Sequence, residues 1–362
     1  MLIQKFTTLF KDVTRQGTKI PKEEYLTHGK NIIIDQGQDI IAGYTNCEDG
    51  IFKKIPAIVF GDHTRIIKYV DTPFFLGADG VKVLKCTDKN ANYRYLYYAL
   101  KNAHIPNTGY NRHFKWLKEI TINYPDKNKQ NDIVNILDKL EYIIKIRSQE
   151  LDKFDELIKA RFVEMFGDPV QNSLNKPMVK LESLGDWKSG GTPARSNPNF
   201  YDGNINWFSA GELDSLYLSK SKEKITEEAV RKSSTKLFAK GSMLIGMYDT
   251  AAFKMGILKE PSCANQACAN IRANEKINVI WLYYELQAMK KYFLNQRHCV
   301  RQKNLTLKMI KQFEIPYFDL SLQNEFSNFV QQVDKSKFEN IVYLNKTLSM
   351  KILGQLGDVF RD

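Results

Sequence analysis

The strongest constraint on this chain is an internal repeat in which a set of landmarks recurs in one order. In the first copy, Tyr95-Leu96-Tyr97-Tyr98-Ala99-Leu100 leads to Gly109-Tyr110-Asn111-Arg112-His113-Phe114-Lys115. Ile120-Thr121-Ile122-Asn123-Tyr124-Pro125, Gln130-Asn131-Asp132-Ile133 and a long helical pattern follow. The second copy runs Trp281-Leu282-Tyr283-Tyr284-Glu285-Leu286, Cys299-Val300-Arg301-Gln302-Lys303-Asn304-Leu305, Phe313-Glu314-Ile315-Pro316 and Gln323-Asn324-Glu325-Phe326, again before a helical pattern. The order is kept while the spacing drifts, as loops drift between two copies of one fold. A chain built globule–helix–globule–helix can hold two similar reading heads on one frame, an arrangement suited to measuring a distance.

The helical segments carry their own signature. Ile133, Leu137, Leu140, Ile144, Arg147, Leu151, Phe154, Ile158, Arg161 and Met165 advance in alternating steps of four and three, a heptad seam. Ile143, Leu157 and Phe162 widen that stripe, and Gly167-Asp168-Pro169 supplies a stop, Gly by taking the left-handed conformation and Pro by breaking the helix. A helix of about 37 residues is ~55 Å long. The segment 322–356 repeats the pattern through Phe326, Val330, Val333, Ile341, Leu344, Leu348 and Ile352. A long helix with a narrow apolar stripe needs a partner, so the two are expected to form an antiparallel coiled coil. The expected fold is α+β, with two similar globular domains separated by two long helices in a pseudo-two-fold repeat. Its expected boundaries are 1–128, 129–168, 169–320 and 321–362.

Within the first globule, strands are expected at 31–34, 56–60, 64–70 and 81–84, and a short helix at 93–100, where Leu96 and Leu100 stand one turn apart. In the 64–70 strand Arg65 and Lys68 are expected on the wet face. The second globule carries strand signals at 242–245 and 256–258 after a polar linker at 172–180.

The 362 residues are 43% apolar and carry a net charge of +12, with a pI near 9.2. Each half can bury a core, and the positive surplus favours a polyanionic partner such as nucleic acid. Five cysteines, Cys47, Cys86, Cys263, Cys268 and Cys299, are scattered without Cys-x-x-Cys spacing, which argues against a disulfide framework or zinc ribbon and fits a reducing cytosol. No secretory leader or membrane-spanning run is read, so a cytoplasmic, membrane-free location is expected.

Catalytic signatures are sought and not found. An adenine methyltransferase needs an Asn/Asp-Pro-Pro-aromatic loop to hold a flipped base; Asn197-Pro198-Asn199-Phe200 lacks the second proline, and no Phe-x-Gly-x-Gly segment is there to hold a methyl donor. A Mg²⁺ nuclease needs Asp…(Asp/Glu)-x-Lys, yet there is no Glu-x-Lys and the sole Asp-x-Lys is Asp186-Trp187-Lys188. The sole Gly-Lys, Gly29-Lys30, precedes Asn31 instead of Ser or Thr, and the five histidines never pair at metal-ligand spacing. Asp62-His63 and Asp249 read as turn or capping residues in preference to catalytic carboxylates. The sequence reads as a binder.

Binding chemistry is present in loops. Tyr110, Asn111, Arg112, His113 and Lys115 in the first half, and Arg297, Arg301, Gln302, Lys303 and Asn304 in the second, combine Arg and Lys that can read guanine with Asn and Gln that can read adenine. A further cluster holds Lys188, Thr192 and Arg195 around Gly190-Gly191, whose backbone N–H groups could approach phosphate; a plain solvated loop explains it equally well.

The repeated endings Ile122-Asn123-Tyr124-Pro125 and Phe313-Glu314-Ile315-Pro316, Gln-Asn-Asp/Glu, long helix and Phe166-Gly167-Asp168-Pro169 closure resemble the specificity subunit of type I restriction–modification systems. The second half strengthens the likeness with Lys180-Leu181-Glu182-Ser183-Leu184-Gly185, Ser189-Gly190-Gly191-Thr192-Pro193, Ile205-Asn206-Trp207-Phe208 and Asn265-Gln266-Ala267. The first half departs at Leu9-Phe10-Lys11-Asp12, which reaches Lys19-Ile20-Pro21 without a Gly-Gly-Thr-Pro loop, and Cys299 stands where the first copy has Gly109. The resemblance implies two target-recognition domains, each reading half of a split double-stranded DNA site, and helices that act as ruler and docking surface. It implies two methylation subunits and restriction subunits as partners, to which S-adenosylmethionine, ATP and Mg²⁺ belong, and no cofactor or metal in this chain. On the residues alone, a self-contained restriction enzyme with an unrecognised site and a coiled-coil scaffold with basic lobes stay open.

Overall fold

The computed structural model describes residues 3–77, 79–109, 111–295 and 304–360, with all their side chains except those of Asp249, Asn340 and 343–360. The chain divides into two compact units, residues 1–148 with 342–362, and Gln149–Ile341.

The first unit opens with β1 (Ile3–Lys5), α1 (Phe6–Leu9) and β2 (Phe10–Asp12), followed by β3 (Asn31–Ile34), β4 (Gly43–Thr45), β5 (Ala57–Gly61), β6 (Ile67–Val70), β7 (Phe74–Leu76) and β8 (Val81–Cys86). Then come α2 (Tyr93–Lys101), α3 (Phe114–Leu117), β9 (Thr121–Asn123) and α4 (Lys127–Phe166), which continues into the second unit. One sheet has the order β2-β8-β5-β6, a second β4-β3-β7, and β1 pairs with β9 as a ribbon. The unbroken apolar run Ala57-Ile58-Val59-Phe60 makes β5 a central strand buried along its whole length. Ile58, Phe60 and Leu84 pack on Tyr95, Leu96 and Leu100 of α2, while Ala57, Val59 and Val83 face Phe52, Phe74 and Leu76.

The second unit follows the same plan with β10 (Met178–Lys180), β11 (Gly185–Ser189), β12 (Tyr201–Phe208), β13 (Tyr217–Leu218), β14 (Glu223–Ile225), α5 (Glu227–Lys232), β15 (Met243–Gly246), β16 (Met255–Leu258), β17 (Cys263–Ala264) and β18 (Cys268–Ala273). It closes with α6 (Val279–Asn295), α7 (Leu307–Gln312), β19 (Glu314–Pro316) and the start of α8 (Leu320–Phe360), which from Val342 belongs to the first unit. The sheet β11-β18-β15-β16-β13 answers β2-β8-β5-β6, with β13 added at its edge. The sheets β14-β12-β17 and β4-β3-β7 each join one antiparallel and one parallel pair, and the β10–β19 ribbon answers β1–β9. Even the hand-off after each ribbon is shared: Phe6 N donates to Ile120 O and Leu181 N to Phe313 O.

The helix endings follow the sequence. Gly167 has φ +72° and its N–H reaches Val163 O, closing α4. The seam is less regular than its spacing predicts. At the start of α4, Ile133 and Val134 enter the first unit's core; at its end Ile158, Phe162 and Phe166, each a full turn apart, enter the second's. Ile144 is 41% exposed. Inside the second unit the two long helices run antiparallel, with Arg161 at 3.0 Å from Glu325, Asp155 at 2.5 Å from Lys337, and Phe162 edge-on to Phe326.

The 64–70 expectation needs correction. The strand is confined to β6, and Arg65 sits in a left-handed turn at φ +62° with its guanidinium donating to Ile105 O. Lys68 is buried: its ammonium lies 3.5 Å from Asp35 and donates to the Asp39 carbonyl. A lysine can enter a strand's inner face where a carboxylate balances its charge and a carbonyl accepts its hydrogen bond.

Candidate nucleic-acid interface

In the first unit, the predicted residues follow α2 in a loop whose ends are fixed by buried bonds. His113 is fully buried. Its backbone N donates to Asp62 O at 2.7 Å, and its ring Nδ1 lies 3.0 Å from the same carbonyl, which can only accept, so Nδ1 carries the proton. Asp62 is itself buried, and its carboxylate accepts from Phe114 N at 2.7 Å, the first N–H of α3. Asp62 is thus a helix cap, and His113 is an anchor with no face toward solvent. This corrects its expected place among surface readers. What the anchor presents is Asn111 and Arg112, both exposed, and Lys115, whose ammonium rides 4.9 Å from the Trp116 ring. Asn111 turns its amide back onto Thr108 O, and Gly109 takes φ +77° to close the tip.

Beside this loop lies a basic groove that no sequence pattern signalled. It has a volume of about 680 Å³ and is lined by Asp12 to Gly17, Lys19 and Lys82. Lys82 pairs with Asp12 at 3.2 Å and lies over the Phe114 ring, which Lys118 also approaches. Lys19 bonds Asp79 at 2.7 Å, and the Asp79 carboxyl is held below the usual range first by that bond and also by the charges of Lys19 and Arg112. Arg15, Lys19 and Lys82 come from separate segments, so their grouping is a product of the fold.

In the second unit, Gly190 and Gly191 do not cradle an anion. Gly190 N donates to Cys268 O and Gly191 N to Ala264 O, leaving neither free for phosphate. A Cβ on Gly190 would stand 2.1 Å from Asn265 O, and one on Gly191 2.5 Å from Ser234 O. The Gly191 carbonyl accepts from Trp207 Nε1 and Thr235 Oγ1, the Thr192 hydroxyl bonds Gln266, and Asn265 N donates to Phe208 O. Three of the four signature segments of this half, 189–193, 205–208 and 265–267, therefore meet at one junction between its two sheets. Thr192 is half-buried there. Lys188 projects from β11 into solvent. Arg195 is exposed, held by Glu223 at 2.5 Å and stacked 4.7 Å from Tyr201 and 5.1 Å from Trp207. Tyr110, Arg297, Arg301, Gln302 and Lys303 lie outside the described residues.

Among the described residues no group of three His, Cys, Asp or Glu is placed to hold a metal ion, and no helix is long and apolar enough to cross a membrane. The buried Cys263 and Cys268 thiols are both pushed up to about 12 by burial, far from the reactive range.

Known proteins bear on this arrangement. The sequence matches the family described as "Type I restriction modification DNA specificity domain" over residues 8–154 and 175–349. It is 27% identical over 325 residues to the Escherichia coli type I restriction enzyme EcoR124I/EcoR124II specificity subunit, covering 84% of this chain and 78% of that one. It is 26% identical over 160 residues to the Methanocaldococcus jannaschii type I restriction enzyme MjaIX specificity subunit, covering 43% of this chain and 37% of that one. In fold it is similar to the S subunit of a type I restriction–modification system from M. genitalium, with a TM-score of 0.62 and 18% identity over 100% of this chain and 96% of the other. A chain from a structural study of complex assembly and conformational transition in the type I R-M system gives a TM-score of 0.56 at 14% identity, covering 99% and 97%. With two matched specificity domains and a duplicated α+β fold on two long helices, this chain belongs to the type I restriction–modification specificity subunits, non-catalytic DNA-recognition proteins with two recognition domains.

Proposed function

We propose that each globule reads one half of a bipartite double-stranded DNA target and that the helices set the spacer between the halves. In this reading residues 1–128 and 169–320 are the two target-recognition domains, and 129–168 and 321–362 are the spacer helices. The helices dock two methylation subunits, so that the chain directs adenine methylation by them and cleavage by restriction subunits that join the complex in the cytoplasm. S-adenosylmethionine, ATP and Mg²⁺ act on those partners. The observation that carries the reading is the duplication itself: one strand order, one ribbon and one exit helix occur twice in a single chain.

On the first globule Asn111, Arg112 and Lys115, joined by Arg15, Lys19 and Lys82, are proposed to face DNA. On the second, Lys188 and Arg195 are proposed to take that role, with Arg297, Arg301, Gln302 and Lys303. Tyr110 belongs with the first group by position. Thr192 supports the Gly-Gly junction beneath the surface, and His113 supports the first loop from within.

The test is the ruler. Inserting four residues after Arg147 lengthens α4 by ~6 Å, close to two base pairs at ~3.4 Å of rise each. Methylated sites mapped in cells that carry the insertion should keep both half-sites and gain a longer spacer. A fully active complex with the original spacer would remove the ruler from the proposal.

A further inference from the structure

Both glutamines of the repeated Gln-Asn pair are buried in the first turn of a long helix, where a polar side chain must justify its place. Gln130 Oε1 accepts from Asn92 N at 3.1 Å, and its Nε2 donates to Pro125 O at 2.8 Å. Gln323 does the same: Oε1 accepts from Asn278 N at 2.8 Å and Nε2 donates to Phe318 O at 2.7 Å. Asn92 and Asn278 are themselves the N-caps of α2 and α6, accepting from Arg94 and Tyr95 N and from Ile280 and Trp281 N. Their amide groups then donate to Asn131 and Asn324, at 2.8 Å in both copies. One clasp thus ties three things together in each unit: the start of the globule's aromatic helix, the last residues of the incoming chain, and the first turn of the long helix.

We infer that Gln130 and Gln323 are positioning residues that fix the direction in which each long helix leaves its recognition globule, and so the spacer the protein accepts. The inference rests on the ruler reading above and adds the joints without which a ruler has no zero. Two observations carry it. The clasp is kept in both copies although its surroundings have diverged, with Arg94 answered by Ile280 and Ala99 by Glu285. Its chemistry also tolerates no near substitute. Glutamate has no N–H to give Pro125 O or Phe318 O, and asparagine is one methylene short of spanning the same two groups. A helix held at one point could pivot; bonds from two adjacent residues, Gln130 with Asn131 and Gln323 with Asn324, hold it at two.

The experiment uses the chain assembled with its methylation subunits. Its substrates are duplexes that carry the genomically mapped methylation motif, with the spacer native, shortened or lengthened by one or two base pairs. The wild type should methylate the native spacer far faster than the others. Gln130→Leu and Gln323→Leu keep the bulk and lose both bonds, leaving backbone groups without partners. Each should cut the preference for the native spacer by about tenfold. Discrimination against a wrong base within either half-site should be unchanged, a separation that general loosening of the fold would not produce. If either Leu variant fails to assemble, Asn131→Ala and Asn324→Ala, at exposed positions, remove one bond each and should lower the preference by a smaller factor. An undiminished preference in assembled variants overturns the joint and leaves the ruler standing, as does equal loss of spacer and base discrimination. A wild type indifferent to spacer length overturns both.

Discussion

The two recognition globules share backbone connections more faithfully than side chains. Both keep the ribbon, the sheet order and the glutamine clasp, but the helix packed on the sheet is furnished differently in each. On α2, Arg94 donates to Asp138 at 3.1 and 2.5 Å, Tyr98 OH donates to the same carboxylate at 2.6 Å, and Lys101 meets Glu141 at 3.0 Å. The rings of Tyr69, Tyr97 and Tyr98 surround that guanidinium at 5.0 to 5.5 Å. On α6 the position of Arg94 is Ile280, and Ala99 is answered by Glu285, fully buried with neither carboxylate oxygen hydrogen-bonded. The lesson is that backbone-level joints hold the frame while interior side chains drift.

The largest effect should come from exchanging one half outright. Replacing residues 181–318 with the matching segment of a relative should change one half-site of the methylated motif entirely and leave the other intact. Genome-wide mapping of methylated sites reads the result, and a joint change of both half-sites would mean the globules do not read independently.

Next in size is the Gly190-Gly191 junction of the second unit. Gly190→Ala drives a Cβ to within 2.1 Å of Asn265 O and 2.4 Å of Ala264 O, both backbone atoms that cannot step aside. The expected loss is about 3 kcal/mol. In the first unit Val13 follows β2 as Gly190 follows β11, and donates to Val83 O as Gly190 does to Cys268 O. There Val13→Ala should cost roughly 1 kcal/mol. Urea unfolding of the two variants measures the contrast, and equal losses would refute the claim that the glycine serves close approach.

Glu285 allows a comparison by pH. Burial raises its carboxyl from 4.5 to about 8, so between those values the folded state keeps a proton that the unfolded state releases. Stability therefore falls as pH rises through this window, by up to ~1.4 kcal/mol per unit, and levels off above it. Ala99 in the first unit gives no such slope. Glu285→Gln should flatten the dependence of the urea midpoint on pH between 5 and 8, and Glu285→Leu should raise stability most at the alkaline end. A slope unaltered in both variants would place its origin elsewhere.

How much of this was legible in the sequence depended on how local the cause was. The repeat, the long helices and the Gly167 stop were legible because each is written in consecutive residues. So was the cap role of Asp62, since a short acidic side chain in a turn has few other uses. Strands of three residues such as β1, β7 and β9 were not, because their stability comes from partners far along the chain. Lys68 misled because alternation cannot say which face of a strand holds a hidden carboxylate. Gly190-Gly191 was left open for a different reason: glycine permits close approach, but the sequence does not say whether a phosphate or a carbonyl does the approaching. The basic groove was invisible, since Arg15, Lys19 and Lys82 meet only in the folded unit.

The smallest expected effect compares single cations on the two surfaces. Among the described residues Lys115 has no carboxylate partner, whereas Arg195 is already paired with Glu223 at 2.5 Å. A free lysine near phosphate displaces a counterion when DNA binds; a paired arginine brings little net charge to exchange. Lys115→Gln should therefore weaken binding of the assembled complex a few-fold, evenly across sequences, and reduce the slope of log K against log salt by ~1. Arg195→Gln should leave that slope nearly unchanged, and its stability cost should stay below ~1 kcal/mol because the pair it breaks is exposed. Should Arg195 leave Glu223 to read a base, its loss would relax selectivity at one position of the second half-site, by ~1–3 kcal/mol, while the salt slope stayed put. Titrations at several salt concentrations on matched and singly mismatched duplexes separate these outcomes. A slope reduced equally by both substitutions would show that Glu223 does not hold Arg195 when DNA is bound.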